Sequence, residues 1–195
     1  MTGAGVPRVP ERAWLEARFG ADSLWRPAAA DLPPELTDEA SREFLTTIGF
    51  PAATIDLIAF RSTSLADGEA MHAFDADELF GRRQPDDDAP PSTFCFWVGT
   101  WWDQELMLDA ATGGVDHYDP SGWDHGEGYQ GPAAASLAAL AGQLGLLSER
   151  REALASDDTE VRDAAVADLR DRLREFDAAA DESSFWNAVF EHLSE

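Results

Sequence analysis

Between Thr93 and Tyr118, three strand-like runs follow one another with connections too short for anything but antiparallel pairing. Thr93 to Gly99 and Gln104 to Asp109 are rich in aromatic and aliphatic residues, and Thr100 to Asp103 joins them. Ala110 to Gly114 then supplies a Gly-Gly turn into Val115 to Tyr118. A parallel return would need a crossover of about a dozen residues or more. A β-meander is therefore predicted at the centre of the chain.

Helical patterns flank it. Glu11 to Gly20 predicts a short helix, with Leu15 and Phe19 one turn apart and Gly20 as its stop. Thr37 reads as an N-cap, followed by Asp38 and Glu39 in the first turn and an apolar face of Phe44, Leu45 and Ile48. Gly49 and Pro51 end that helix, and Ile55 to Arg61 reads as one strand. In the last third, Leu137, Leu140, Leu144 and Leu147 predict one helix, and Val161, Ala165, Leu169, Leu173 and Phe176 a second. Asp157-Asp158 opens the second, where Asp168 is placed to pair with Arg172. Phe185, Trp186, Val189, Phe190 and Leu193 predict a third, capped by Ser183 or Ser184. Strands gathered before helices argue an α+β fold, with a central antiparallel meander packed by N-terminal and C-terminal helices. With 195 residues, one domain over 11–195 is expected, preceded by a flexible tail over 1–10.

Charge narrows the function. All 14 basic residues are arginine, against 38 Asp and Glu, for a net charge of −24. Phosphates need basic patches, so neither nucleic acid nor an anionic membrane is an expected partner, whereas a basic protein is. The chain shows no charged-then-apolar leader, and Ala133 to Leu147 is too short to span a bilayer of about 20 apolar residues. The expected location is the cytoplasm. The single cysteine, Cys95, lies in the apolar run Phe94 to Val98 and reads as a small buried thiol.

Catalytic signatures are sparse. The sequence has no nucleophile elbow and, without lysine, no phosphate-gripping loop. Asp75 to Gly81 has the outline of a calcium loop, but Leu79 occupies the third ligand position and the glycine comes one place late. Asp116, His117, Asp119, Asp124 and His125 could hold a divalent metal for a hydrolase if a turn at Pro120 to Gly122 brings the histidines together. Their spacing matches no helix-based ligand pair, and a solvated acidic loop accounts for them as well. No catalytic residue, metal or cofactor is assigned.

Residues 84–149 contain eleven acids and no Arg or Lys, together with Trp97, Trp101, Trp102, Tyr118, Trp123 and Tyr129. Trp101, Trp102 and Trp123 fall in predicted turns or loops, where core packing is less available. With Asp103, Glu105, Asp116, Asp119 and Asp124 they form a candidate partner-binding set, in which flat rings supply contact area and acids steer a basic partner. The other reading of the same stretch is a solubilising acidic surface with the tryptophans folded under.

The order of segments carries a resemblance. Leu15-Glu16-Ala17-Arg18-Phe19-Gly20, Leu32-Pro33, and Thr37 through Phe44-Leu45 to Gly49-Phe50-Pro51 resemble the front half of a SUKH-superfamily immunity protein. Leu106-Met107-Leu108-Asp109 with Thr112-Gly113-Gly114-Val115 is similar to its central sheet. Ser136-Leu137-Ala138-Ala139-Leu140, Phe176-Asp177 and Ser184-Phe185-Trp186 are similar to its closing helices. The match is to the fourth, actinomycete-type subgroup, over roughly residues 12–193. One departure is Ala135, where that pattern has Asn before the helix-opening Ser. The resemblance implies an α+β fold without enzymatic activity, and a protein that binds a cognate polymorphic toxin, often a nuclease or nucleic-acid deaminase. It carries over no binding residues. A general scaffold of the same fold is the alternative, which a neighbouring toxin gene would distinguish. The sequence leaves the oligomeric state open.

Overall fold

A computed structural model describes residues 8–67, 71–82, 90–121 and 128–194. The chain starts with α1 (Arg12–Phe19), which buries Leu15 and stops at Gly20. The Arg8 N–H donates to the Glu175 carbonyl at 2.9 Å, and its guanidinium lies over the Trp14 and Phe176 rings.

Strand β1 (Leu24–Trp25) leads to α2 (Glu39–Thr47) and then pairs with β2 (Phe50–Pro51). The cap of α2 is Asp38, not Thr37. The Asp38 carboxylate accepts from the Ser41 N–H at 2.7 Å, while Thr37 donates through both its N–H and its hydroxyl to the Ala110 carbonyl. The expected strand Ile55 to Arg61 is a hairpin, β3 (Thr54–Ile55) and β4 (Phe60–Arg61), folded through a 3-10 turn at Asp56–Ile58. Ile55, Ile58 and Phe60 are all buried. A straight strand would send Ile55 to the face opposite the other two. Next come β5 (Phe74–Asp75) and α3 (Ala76–Leu79), where the Asp75 side chain caps by accepting from the N–H groups of Asp77 and Glu78.

The meander is β6 (Phe94–Trp101), β7 (Gln104–Asp109) and β8 (Val115–Tyr118), extended by β9 (Tyr129–Ala134). All pairs are antiparallel, in the order β3-β4-β6-β7-β8-β9. β5 shares an edge of β6 with β4, pairing at Phe94 and Cys95 while β4 pairs at Thr100 and Trp101. β6 runs past the expected end at Gly99, so the turn is confined to Trp102 and Asp103. Strand β9 was not predicted, because its Gly131 and Pro132 break the strand pattern. As the last strand in the order it tolerates a proline that an inner strand would not.

Helices α4 (Leu137–Leu154), α5 (Thr159–Leu173) and α6 (Ser184–Leu193) follow, capped by Ser136, Asp158 and Ser183. Ser136 accepts from the Ala139 N–H at 3.1 Å, so the departure at Ala135 does not disturb the cap. Most of α4 is buried. Its Gln143 is sealed in the core and accepts from the Trp186 indole N–H at 2.8 Å. The expected Asp168–Arg172 pair does not form: Asp168 pairs with Arg150, and Arg172 with Glu149 (3.1 Å) and Glu175 (2.7 Å). Packing of α5 on α4 brings Arg150 to Asp168 and Glu149 to Arg172. Glu149 collects Arg18, Arg150 and Arg172, and hydrogen bonds from Arg18 first and then Arg172 hold its carboxyl down at about 2.

The result is the expected single-domain α+β arrangement. One sheet face joins the helices in the main core through Phe96, Val98, Leu106, Leu108 and Val115. The other carries a small cluster in which Cys95 and Met107 lie beneath Ala76 and Phe80. Among the described residues, no helix is long and apolar enough to cross a membrane.

Candidate functional site

Strand alternation divides the candidate residues between two faces and one tip. Along β7 and β8, Leu106, Leu108, Val115 and His117 turn toward the helices. Glu105, Met107, Asp109, Asp116 and Tyr118 turn to the outer face. Trp123 and Asp124, with His125, lie outside the described residues.

Trp101 is a correction. It ends β6 rather than lying in a turn, and it is 9% exposed, edge-on to His117 at 5.8 Å and Phe185 at 5.9 Å. A register shift between Trp97 and Gly99 is the reason. One extra residue in the strand reverses the parity set by Phe94, Phe96 and Val98, sending Thr100 outward and Trp101 inward. The Trp101 indole N–H has no hydrogen-bond partner among the described residues.

Trp102 is the opposite case. It is 51% exposed and has a left-handed backbone, φ 52°. Its N–H donates to the Ala59 carbonyl at 3.4 Å, and its ring stands edge-on to His192 of α6 at 5.5 Å. Bulky residues rarely occupy this region, and such strain persists where the surroundings hold it and function uses it. Two shallow depressions flank the ring. One, about 320 Å³, is lined by Trp101, Trp102, Asp103, Gln104, Asp119 and Ser121. The other, about 370 Å³, is lined by Thr54, Asp56, Ala59, Arg61, Trp102 and Asp103. An exposed indole is thus held between hollows bearing Asp103, Asp119 and Asp56.

Asp119 is kept ionised. Its carboxyl lies below its ordinary value because the Ser121 hydroxyl (2.6 Å) and N–H (2.9 Å) both donate to it. Its other oxygen accepts from the Gln104 amide at 3.3 Å. The Gln104 oxygen then accepts from His117 Nε2 at 2.6 Å, and His117 Nδ1 faces the Ser184 hydroxyl at 3.2 Å. Burial pushes His117 down to about 4, so the ring is neutral at neutral pH. Sequence reasoning missed this chain, because Gln104 and Ser184 give no local sign of converging on the ring. It also bears on two of the candidate metal ligands, Asp116 and His117, whereas Asp124 and His125 lie outside the described residues. Adjacent strand residues Asp116 and His117 face opposite sides of the sheet, and both His117 nitrogens are already engaged. Among the described residues no group of three His, Cys, Asp or Glu could hold a metal ion.

On the outer face, Glu105 is raised by burial. Asp116 is pushed up to about 6, by burial and then by Asp109, against a hydrogen bond from Tyr129. Cys95 beneath them is pushed up to about 12, by burial first and then by Asp116, Asp109 and Glu105, which makes it an unreactive thiol. The six described candidates therefore do not form one patch. Trp102, Asp103 and Asp119 share the β6–β7 tip, Glu105 and Asp116 share the outer face, and Trp101 is core.

The family model described as SUKH-4 immunity protein matches residues 10–192. No curated protein and no solved structure matches the chain.

Proposed function

Because the chain belongs to the SUKH-4 immunity protein family, we propose that it binds and neutralises a cognate bacterial polymorphic toxin without itself catalysing a reaction, and that the β6–β7 tip is a principal contact. The observation that carries the tip assignment is Trp102, half exposed in a strained backbone and flanked by Asp103 and Asp119. A large ring fixed in advance loses little conformational freedom on binding, which is the profile of an interface anchor.

The charge of the chain supports the choice of target. A toxin that cuts or modifies nucleic acid needs a basic cleft for phosphates, and an acidic tip can enter that cleft while the net charge of −24 steers association. The same charge disfavours nucleic acid and anionic membranes as partners. The site of action in this reading is the cytoplasm, where such a toxin meets its substrate.

Co-expression with the toxin encoded by the neighbouring reading frame tests the proposal. Trp102→Ala is expected to speed dissociation roughly 10- to 30-fold, matching an anchor worth about 2 kcal/mol. Asp103→Asn with Asp119→Asn is expected to slow association and flatten its salt dependence. Binding and protection unchanged in both variants would overturn the tip assignment. A neighbouring toxin that never associates with the chain would overturn the reading as a whole.

A further inference from the structure

We propose that Arg61 is a specificity-determining contact at the tip, which takes a carboxylate of the partner protein in the hollow beside Trp102. The inference rests on the reading that the tip meets a toxin, and it adds which group of that toxin the tip selects.

The sheet holds the root of Arg61 and leaves its head free. Strand β4 lies between β3 and β6, where Arg61 stands opposite Thr54 on one side and Thr100 on the other. Arg61 is exposed, and it lines the hollow of about 370 Å³ with Thr54, Asp56, Ala59, Trp102 and Asp103. Both left-handed residues, Ala59 and Trp102, thus border the same depression as this arginine.

Arg61 is unpaired in a chain with 38 acids. Among the described residues no ion pair occupies its guanidinium, although Asp56 and Asp103 line the same hollow. In the helical layer, by contrast, Glu149 takes up Arg18, Arg150 and Arg172, and Asp171 and Asp181 share Arg174. A partner's carboxylate finds a guanidinium with no pair to give up, whose planar fork matches carboxylate geometry. Tryptophan and arginine are also the residue types that carry most binding energy where docking shuts out water. Here the two share one hollow.

The two aspartates set what kind of carboxylate fits. A lone incoming acid is repelled by Asp56 and Asp103, whereas an acid set among basic groups satisfies all three charges of the hollow at once. A basic surface without such an acid meets Arg61 as a like charge. One cation thereby makes an otherwise acidic tip selective. Clefts that process nucleic acid have the required composition: bases grip the phosphates, and a carboxylate serves as metal ligand or as general acid and base. Arg61 therefore reaches the acid on which the partner's chemistry depends, and the tip covers the reaction centre itself.

The test measures binding kinetics of the full chain with the toxin encoded by the neighbouring reading frame. Arg61→Gln makes the chain more acidic, so charge attraction alone would tighten binding. It is expected instead to weaken binding roughly tenfold or more, through faster dissociation. Arg61→Lys keeps the charge but loses the fork, and is expected to fall between the two. Arg151→Gln on α4 makes the same charge change outside the hollow and is expected to leave dissociation unchanged. When each toxin aspartate and glutamate is replaced by its amide, one replacement is expected to cancel the effect of Arg61→Gln and to render the toxin harmless. Arg61→Gln binding as tightly as the unaltered chain, while Trp102→Ala binds less tightly, would overturn the Arg61 assignment and leave the tip standing. A coupled acid that the toxin's activity does not need would overturn the placement at the reaction centre. Indifference to both variants would overturn the tip and this inference together, and a toxin that never associates would overturn the immunity reading with them.

Discussion

The backbone N–H of Trp102 donates to the carbonyl of Ala59 at 3.4 Å, and these two are the non-glycine residues with left-handed backbones among those described, at φ 52° and 51°. The β3–β4 turn and the β6–β7 turn thus brace one another, each through a conformation its side chain disfavours. The bond is long and so weak, and it does not by itself offset two such backbones. In the proposed function, the anchored indole at the tip is what the two strained backbones serve.

Ala59→Gly is expected to raise stability by about 0.5–1 kcal/mol, since about 1–2 kcal/mol of left-handed strain is relieved and part is returned as unfolded-chain entropy. A rise in the urea midpoint at constant slope would show it. Trp102→Gly is expected to leave that midpoint unchanged or higher while partner affinity falls.

Trp101→Phe is expected to change stability by less than about 1 kcal/mol, because the smaller ring leaves a gap but removes a buried N–H that has no partner. Trp101→Ala keeps only the gap and is expected to cost about 3–5 kcal/mol. Chemical denaturation of both variants checks the difference. A large loss in the phenylalanine variant would mean that the indole N–H has a partner after all.

His117 and Asp116 are expected to pull the pH dependence of stability in opposite directions. His117 takes its proton near 4 in the folded protein against an ordinary 6.5, so the unfolded chain binds more protons between these values and stability falls as pH drops. Asp116 takes its proton near 6 against an ordinary 3.8, so the folded chain binds more protons between them and stability rises as pH drops. Glu149, held at about 2, and Asp119 act mainly below their ordinary values of 4.5 and 3.8. Asp116→Asn is therefore expected to stabilise the protein at pH 7 and to steepen its loss of stability between pH 6 and 4. Thermal melts across that range would reveal an unchanged slope if the two groups were not opposed.

Gly142 and Gly145 look like weaknesses in α4, since glycine costs about 1 kcal/mol against alanine within a helix. Here a Cβ at Gly142 would lie 2.3 Å from the Phe176 ring, and one at Gly145 would lie 2.3 Å from the Trp14 ring. Those rings are themselves packed 5.6 Å apart. Either glycine-to-alanine change is expected to be a net loss, the overpacking cost of about 1–3 kcal/mol outweighing the gain in helix propensity. Calorimetric melting temperatures that rise instead would show that the rings have room to withdraw.

Local features were legible where the chain itself supplies the partner. Asp158 and Ser183 cap the helices they precede, Gly20 ends α1, and β7 and β8 run over the residues that alternation and turns delimit. Errors came where a distant residue competed. Ala110 captured Thr37 and left the cap to Asp38, while Arg150 took Asp168 from Arg172. The candidate set met the same limit: its acids were recognisable from composition, but whether Trp101 or Trp102 reaches solvent was not.

By itself, then, the amino-acid order determined the α+β layout, the family and the acidic, arginine-free middle of the chain, because periodicity, capping and charge are local or additive properties. Tertiary structure alone decided which face each group serves. A single-residue bulge after Trp97 reverses strand parity, burying Trp101 and leaving Trp102 at the tip. The ring of His117 is committed to Gln104 and to Ser184, 67 residues away, while its neighbour Asp116 is turned to the opposite side. Register and long-range contact set these outcomes, and neither leaves a mark on local composition.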